Sequence, residues 1–108
     1  MKSFDDLINS YVAAGFDPGI VDAWHQAQLP SDDDLVALAE RIGAAFLAGH
    51  IKFETANGLL NQLMPLVGFE AAPPRFCQYY VAFEDFETST NPDIDARSAV
   101  LALGGDQT

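Results

Sequence analysis

The fold is decided by residues 31–49, which read SDDDLVALAERIGAAFLAG. Ser31 is a typical helix N-cap residue, and the aspartates behind it occupy the first turn, where the helix dipole stabilises negative charge. Apolar residues then recur every three or four positions from Leu35 to Phe46, and Gly49 marks a stop. The stretch predicts an amphipathic helix with a long apolar face, and we expect it to be the central helix of the fold.

Towards the N-terminus, the chain predicts two shorter helices with similar start and stop signals. The first covers residues 4–14 behind Ser3 as N-cap, with apolar residues on one helical face. The second begins at Pro18 behind Asp17 as N-cap and runs to about Gln28. Both helices are amphipathic, so each is expected to pack one face against the central helix.

Towards the C-terminus, three further helices are predicted. One covers 53–64 and should end or kink at Pro65, whose ring crowds the preceding turn. The next covers 74–87, where aromatic residues recur every three or four positions, and the last runs from Pro92 to the glycines at 104–105. No segment alternates apolar and polar residues over the length of a strand. The sequence therefore predicts one all-α domain over residues 1–108, a compact bundle of five to six short helices whose last few residues fray.

The predicted core follows from the apolar faces of these helices. Small residues at Gly43, Ala44, Ala45 and Ala48 should allow a neighbouring helix to approach the central one closely. Trp24 is expected to close one end of the core. The residues predicted to form the core itself are Leu35, Leu38, Ile42, Phe46, Leu59, Leu63, Phe76, Tyr79 and Phe83.

Composition restricts the possible partners. With 16 acidic and 5 basic residues among 108, the formal charge is −11, which repels nucleic acid and membrane surfaces and attracts cationic ones. No basic stripe and no long apolar run is present, so neither nucleic acid nor membrane is an expected partner. The N-terminus has no signal-peptide pattern, and Cys77 alone cannot form an intrachain disulfide. A cytoplasmic protein is the expectation.

Signatures of catalysis, cofactor binding and metal binding are missing from the sequence. The glycines are not grouped in any phosphate-binding pattern. Asp22 and His25 can share a helix face, but zinc needs three or four ligands, and His50 and Cys77 do not complete a known ligand spacing. A calcium loop starting at Asn91 would lack its glycine and its glutamate. We therefore expect no cofactor, no metal and no enzymatic activity.

One acidic group breaks a local rule. Glu84, Asp85 and Glu87 lie at the C-terminal end of the predicted helix 74–87, where carboxylates oppose the helix dipole. The aspartates at 32–34 differ, because they lie in the first turn of a predicted helix, where negative charge is favourable. At least one of the adjacent tyrosines is expected to reach the surface, and exposed tyrosines often anchor protein interfaces. The predicted partner-binding residues are Tyr79, Tyr80, Glu84, Asp85, Glu87, Asp93 and Asp95.

In size, charge and helical character the chain resembles bacterial immunity proteins and antitoxins, without sharing a motif. The resemblance implies an acidic surface that covers a cationic toxin. The leading hypothesis is therefore a non-catalytic acidic module that binds or inhibits a cationic protein. The alternative is a structural or regulatory subunit that associates through apolar helix faces, with a homodimer as one form. A small enzyme or metal protein using His25 and His50 is the third hypothesis.

Overall fold

A computed structural model describes residues 4–105, and these residues form six α-helices and no strand. The all-α prediction is confirmed. The helices are α1 (Phe4–Ala13), α2 (Pro18–Gln28), α3 (Asp32–Leu47), α4 (Phe53–Val67), α5 (Pro74–Glu84) and α6 (Pro92–Gly105). Ser3, the predicted cap of the first helix, and the last residues, predicted to fray, lie outside the described range.

The start signals of the second and third helices act as expected. The Asp17 carboxylate accepts a hydrogen bond from the Gly19 amide, with Pro18 in the first turn of α2. At α3, the Ser31 hydroxyl accepts from the Asp34 amide while the Asp34 carboxylate accepts from the Ser31 amide. This reciprocal pair is a capping box, which satisfies two amides that the helix itself leaves unpaired.

Two predicted helix ends are wrong. Helix α4 continues through Pro65 to Val67, because a proline in the last turn removes only one backbone bond, and the Gly68 amide still donates to the Met64 carbonyl. Helix α5 ends at Glu84 rather than at Glu87, and the chain then turns.

The core involves all six helices. Each residue predicted for it is at most 5% exposed, and so is Trp24. Helix α4 packs against each of the other five, whereas α3 packs against all except α2, so α4 is the more central of the two. Helix α4 buries side chains on more than one face, because neighbouring helices contact it on several sides.

Close helix packing depends on Gly43. A Cβ atom at this position would lie 2.6 Å from Tyr79 Cε1 of α5 and 3.2 Å from Val100 Cγ1 of α6. Ala45 is also buried, but Ala44 and Ala48 are exposed. The close approach expected from the small residues is therefore made at Gly43, where α5 and α6 meet α3.

Candidate functional site

The two neighbouring tyrosines of α5 have different environments. Tyr79 is 4% exposed, and the Arg75 guanidinium lies over its ring at 5.2 Å from the centroid. Burial raises the pKa of the Tyr79 phenol, an effect that the charge of Arg75 opposes. Tyr79 therefore belongs to the core rather than to a partner-binding surface, because its ring fills the space that Gly43 leaves open.

Tyr80 is half-buried and forms a surface pair with Phe69. Their ring centroids are 5.8 Å apart at an interplanar angle of 84°, an edge-to-face arrangement. Phe69 lies in the turn between α4 and α5 and is 64% exposed. The sequence prediction missed Phe69; the available signal was a large apolar residue between Gly68 and Pro73, outside any helix.

Two carboxylates lie within electrostatic range of Tyr80. Burial raises the pKa of Tyr80, and the charges of Glu84 and then Glu87 raise it further. Glu84 is one helical turn beyond Tyr80, and Glu87 follows in the turn after α5. We name the group Phe69, Tyr80, Glu84 and Glu87 the acidic aromatic surface.

The Glu87 carboxylate is held by α4. Its Oε1 atom accepts hydrogen bonds from the side-chain amides of Asn57 at 3.1 Å and Asn61 at 3.4 Å. The two asparagines are one helical turn apart, so they face α5 together. The expectation that Glu87 opposes the helix dipole in the last turn of the helix is wrong, because Glu87 lies beyond the end of α5 and accepts from two amide donors.

The other three predicted site residues lie in different surroundings. Asp85 lines a groove between α5 and α6. Asp93 forms an ion pair with Arg97 at 3.5 Å, and Asp95 accepts a short hydrogen bond from the Ser89 hydroxyl. Asp93 and Asp95 lie in the first turn of α6, where negative charge is favourable. None of the three is among the groups that act on Tyr80.

The α5–α6 groove is apolar and open, with a volume of about 420 Å³. Val81 of α5 is 44% exposed there, and the Cys77 thiol is half-buried. Its apolar lining residues are Cys77, Val81, Ala82, Phe86, Ala99 and Leu103.

The histidines do not assemble a metal site with other ligands. Among residues 4–105, no three His, Cys, Asp or Glu side chains are grouped so that they could hold a metal ion. His50 is exposed and His25 half-buried.

Asp5 of α1 is paired with Arg41 of α3. Arg41 donates two hydrogen bonds to the Asp5 carboxylate, at 2.8 and 3.1 Å, and together with the charge of His50 it lowers the pKa of that carboxyl.

Comparison with known proteins gives no relative. No protein-family model matches the chain, and neither a curated protein nor a solved structure matches it. Within the described range, no helix is both long enough and apolar enough to cross a membrane.

Proposed function

We propose that this protein is a non-catalytic acidic binding module that binds and inhibits a cationic protein, as an immunity protein or antitoxin does. The observation that carries the proposal is the acidic aromatic surface, where the exposed Phe69 and the half-buried Tyr80 form an aromatic pair beside Glu84 and Glu87. We propose a cytoplasmic location as well, since the free thiol of Cys77 suits a reducing compartment.

The chemistry of this surface suits a lysine or arginine of the partner. A cation is attracted to the face of an aromatic ring, and a neighbouring carboxylate adds a charge-assisted hydrogen bond. Both amide donors of Asn57 and Asn61 bond to Oε1 of Glu87, so Oε2 keeps its capacity to accept from a partner. Since these bonds fix the carboxylate before binding, less side-chain entropy is lost on association.

The experiment is a capture from a lysate of the source organism at low ionic strength, followed by elution with a salt step. One column carries the native protein, and two others carry Phe69→Ala and the double variant Glu84→Gln/Glu87→Gln. We expect the native column to retain one basic protein that moderate salt releases, and both variants to retain much less of it. The activity of that basic protein should fall when the native protein is added.

Matched controls separate this surface from the general charge. Asp22→Asn/Asp33→Asn removes the same two charges at exposed positions outside the surface, and Ile94→Ala truncates a side chain that is 62% exposed on α6. Both controls should capture the partner like the native protein. Equal losses in the controls and the surface variants would refute the proposal, as would a native column that retains no basic protein.

A second candidate is a subunit that associates through apolar helix faces, as a homodimer. The α5–α6 groove favours this candidate, because its lining is largely apolar and Val81 is exposed. Self-association of a chain with charge −11 should persist or tighten when salt screens the repulsion, which is the opposite of the first candidate. Sedimentation equilibrium of the native protein and Val81→Lys, with Ile94→Lys as control, tests this. A monomer in all salt conditions would exclude the dimer.

A further inference from the structure

A second cleft lies between the C-terminal end of α1 and the start of α4, and both apolar and polar side chains line it. Its volume is about 370 Å³. Val12, Phe16 and Ile51 form apolar walls, and His50, Lys52 and Thr55 supply polar groups. Phe16 is stacked on Tyr11 with ring centroids 5.2 Å apart, so this wall is fixed by the core.

The start of α4 opens onto this cleft without a cap. Lys52 occupies the N-cap position and makes no side-chain capping bond. The first backbone bond of the helix runs from the Ala56 amide to the Lys52 carbonyl, so the amides at 53–55 have no partner within the helix. Free amides at the positive end of a 15-residue helix favour an anion.

Thr55 provides an independent observation. It is 4% exposed and lines the cleft, and none of the side-chain hydrogen bonds formed among residues 4–105 involves its hydroxyl. Its oxygen is not among the polar atoms of residues 4–105 that are both fully buried and unpartnered, which are Trp24 Nε1 and Asn57 Oδ1, so it is accessible from the cleft that Thr55 lines. This donor faces the cleft from the same helical turn as the free amides.

The charges around the cleft favour an anion, although the whole molecule is acidic. Lys52 and His50 line it, and His50 also lines the adjoining cleft that contains Arg41. Asp5 is in that adjoining cleft, where its carboxylate is engaged by Arg41. Glu54, in the first turn of α4, is exposed and is not among the lining residues.

We propose that this cleft binds a carboxylate attached to an apolar body. The carboxylate accepts from the Thr55 hydroxyl and the amides at 53–55, with Lys52 balancing its charge, and the apolar body lies against Phe16, Val12 and Ile51. Such a carboxylate has two sources, a small organic acid or the C-terminus of a protein chain. The cleft is separate from the acidic aromatic surface, so the proposal stands independently of the proposed function.

The test uses 3-phenylpropionate as probe and its neutral amide, 3-phenylpropionamide, as the matched control ligand. Titration into the ¹⁵N-labelled native protein should shift the backbone amide signals of residues 53–55 at millimolar concentrations of the acid. The amide should bind at least about tenfold more weakly, since it lacks the charge that the site recognises. A peptide ending in phenylalanine with a free carboxylate, compared with its amidated form, reports on the chain-terminus source.

Thr55→Val removes the hydroxyl while keeping the volume, and we expect about tenfold weaker binding of the acid. Thr90→Val, at an exposed position, is the matched control and should bind like the native protein. Lys52→Gln, also at an exposed position, provides a second variant if Thr55→Val does not fold. Equal binding of acid and amide, unchanged affinity in Thr55→Val or, where that variant does not fold, in Lys52→Gln, or no shift with either the acid or the peptide would overturn the proposal.

Discussion

At the scale of single residues, two apolar side chains have left-handed backbone conformations. Phe16 has φ 66° and Leu29 has φ 45°, both just beyond a helix end where glycine or asparagine is usual. Phe16 gains a stacking contact with Tyr11 in this position. Leu29 is 77% exposed, so its side chain gains little packing in return for the backbone strain.

Replacing Leu29 by glycine should therefore stabilise the protein. Glycine has no Cβ clash in the left-handed region, and after its larger loss of chain entropy on folding we expect a gain of about 0.5 to 1 kcal/mol in the free energy of unfolding. Urea denaturation followed by circular dichroism measures it. Leu101→Gly is the control, because Leu101 is also exposed but lies within α6, where glycine should cost about 1 kcal/mol. A loss of stability in Leu29→Gly would contradict the strain argument.

At the scale of helices, the first residues of the helices were predicted more accurately from the sequence than the last ones. Capping at Asp17 and Ser31 depends on residues a few positions apart, so local sequence determines it. The ends of α4 and α5 depend on tertiary contacts instead. The chain leaves α5 after Glu84, and Glu87 then bonds to asparagines of α4 that are 26 and 30 residues away in the sequence.

The packing of α3 against α5 and α6 gives the second prediction. In Gly43→Ala the new methyl group would overlap the Tyr79 ring, and we expect a net loss of about 1 to 2 kcal/mol after the gain in helix propensity. Gly104→Ala is the control, since no atom of the described residues lies within 4 Å of its added Cβ, and it should leave stability equal or slightly higher. Thermal unfolding of both variants measures the difference. An unchanged midpoint in Gly43→Ala would show that the helices are not packed this closely.

At the scale of the whole molecule, the fold class and the core could be predicted from the sequence, but only part of the candidate site could. Apolar residues at helical spacing identify core positions in an all-α protein, and those predictions are confirmed. Helical spacing also brings Tyr80 and Glu84 to one face. Phe69, and the bonds that hold Glu87, could not be predicted, because they require knowing how α4 packs against α5.

The charge of −11 acts over the whole molecule at low salt. The longest dimension is 34 Å, and the Debye length is about 30 Å at 0.01 M salt but only about 8 Å at 0.15 M. A cationic partner should therefore be steered by all the acids at low salt, and mainly by those next to the contact at physiological salt.

The role of the acidic aromatic surface in binding is tested by the rate constant of association with the captured basic protein, measured from low to physiological salt. It compares the native protein with Glu84→Gln/Glu87→Gln and with Asp22→Asn/Asp33→Asn, which remove equal charge. We expect the surface variant to associate several-fold more slowly and to depend less steeply on salt, whereas the control should stay close to the native protein at physiological salt, where mainly the charges next to the contact act. Identical salt dependence in the two variants would contradict the assignment of the acidic aromatic surface as the binding site.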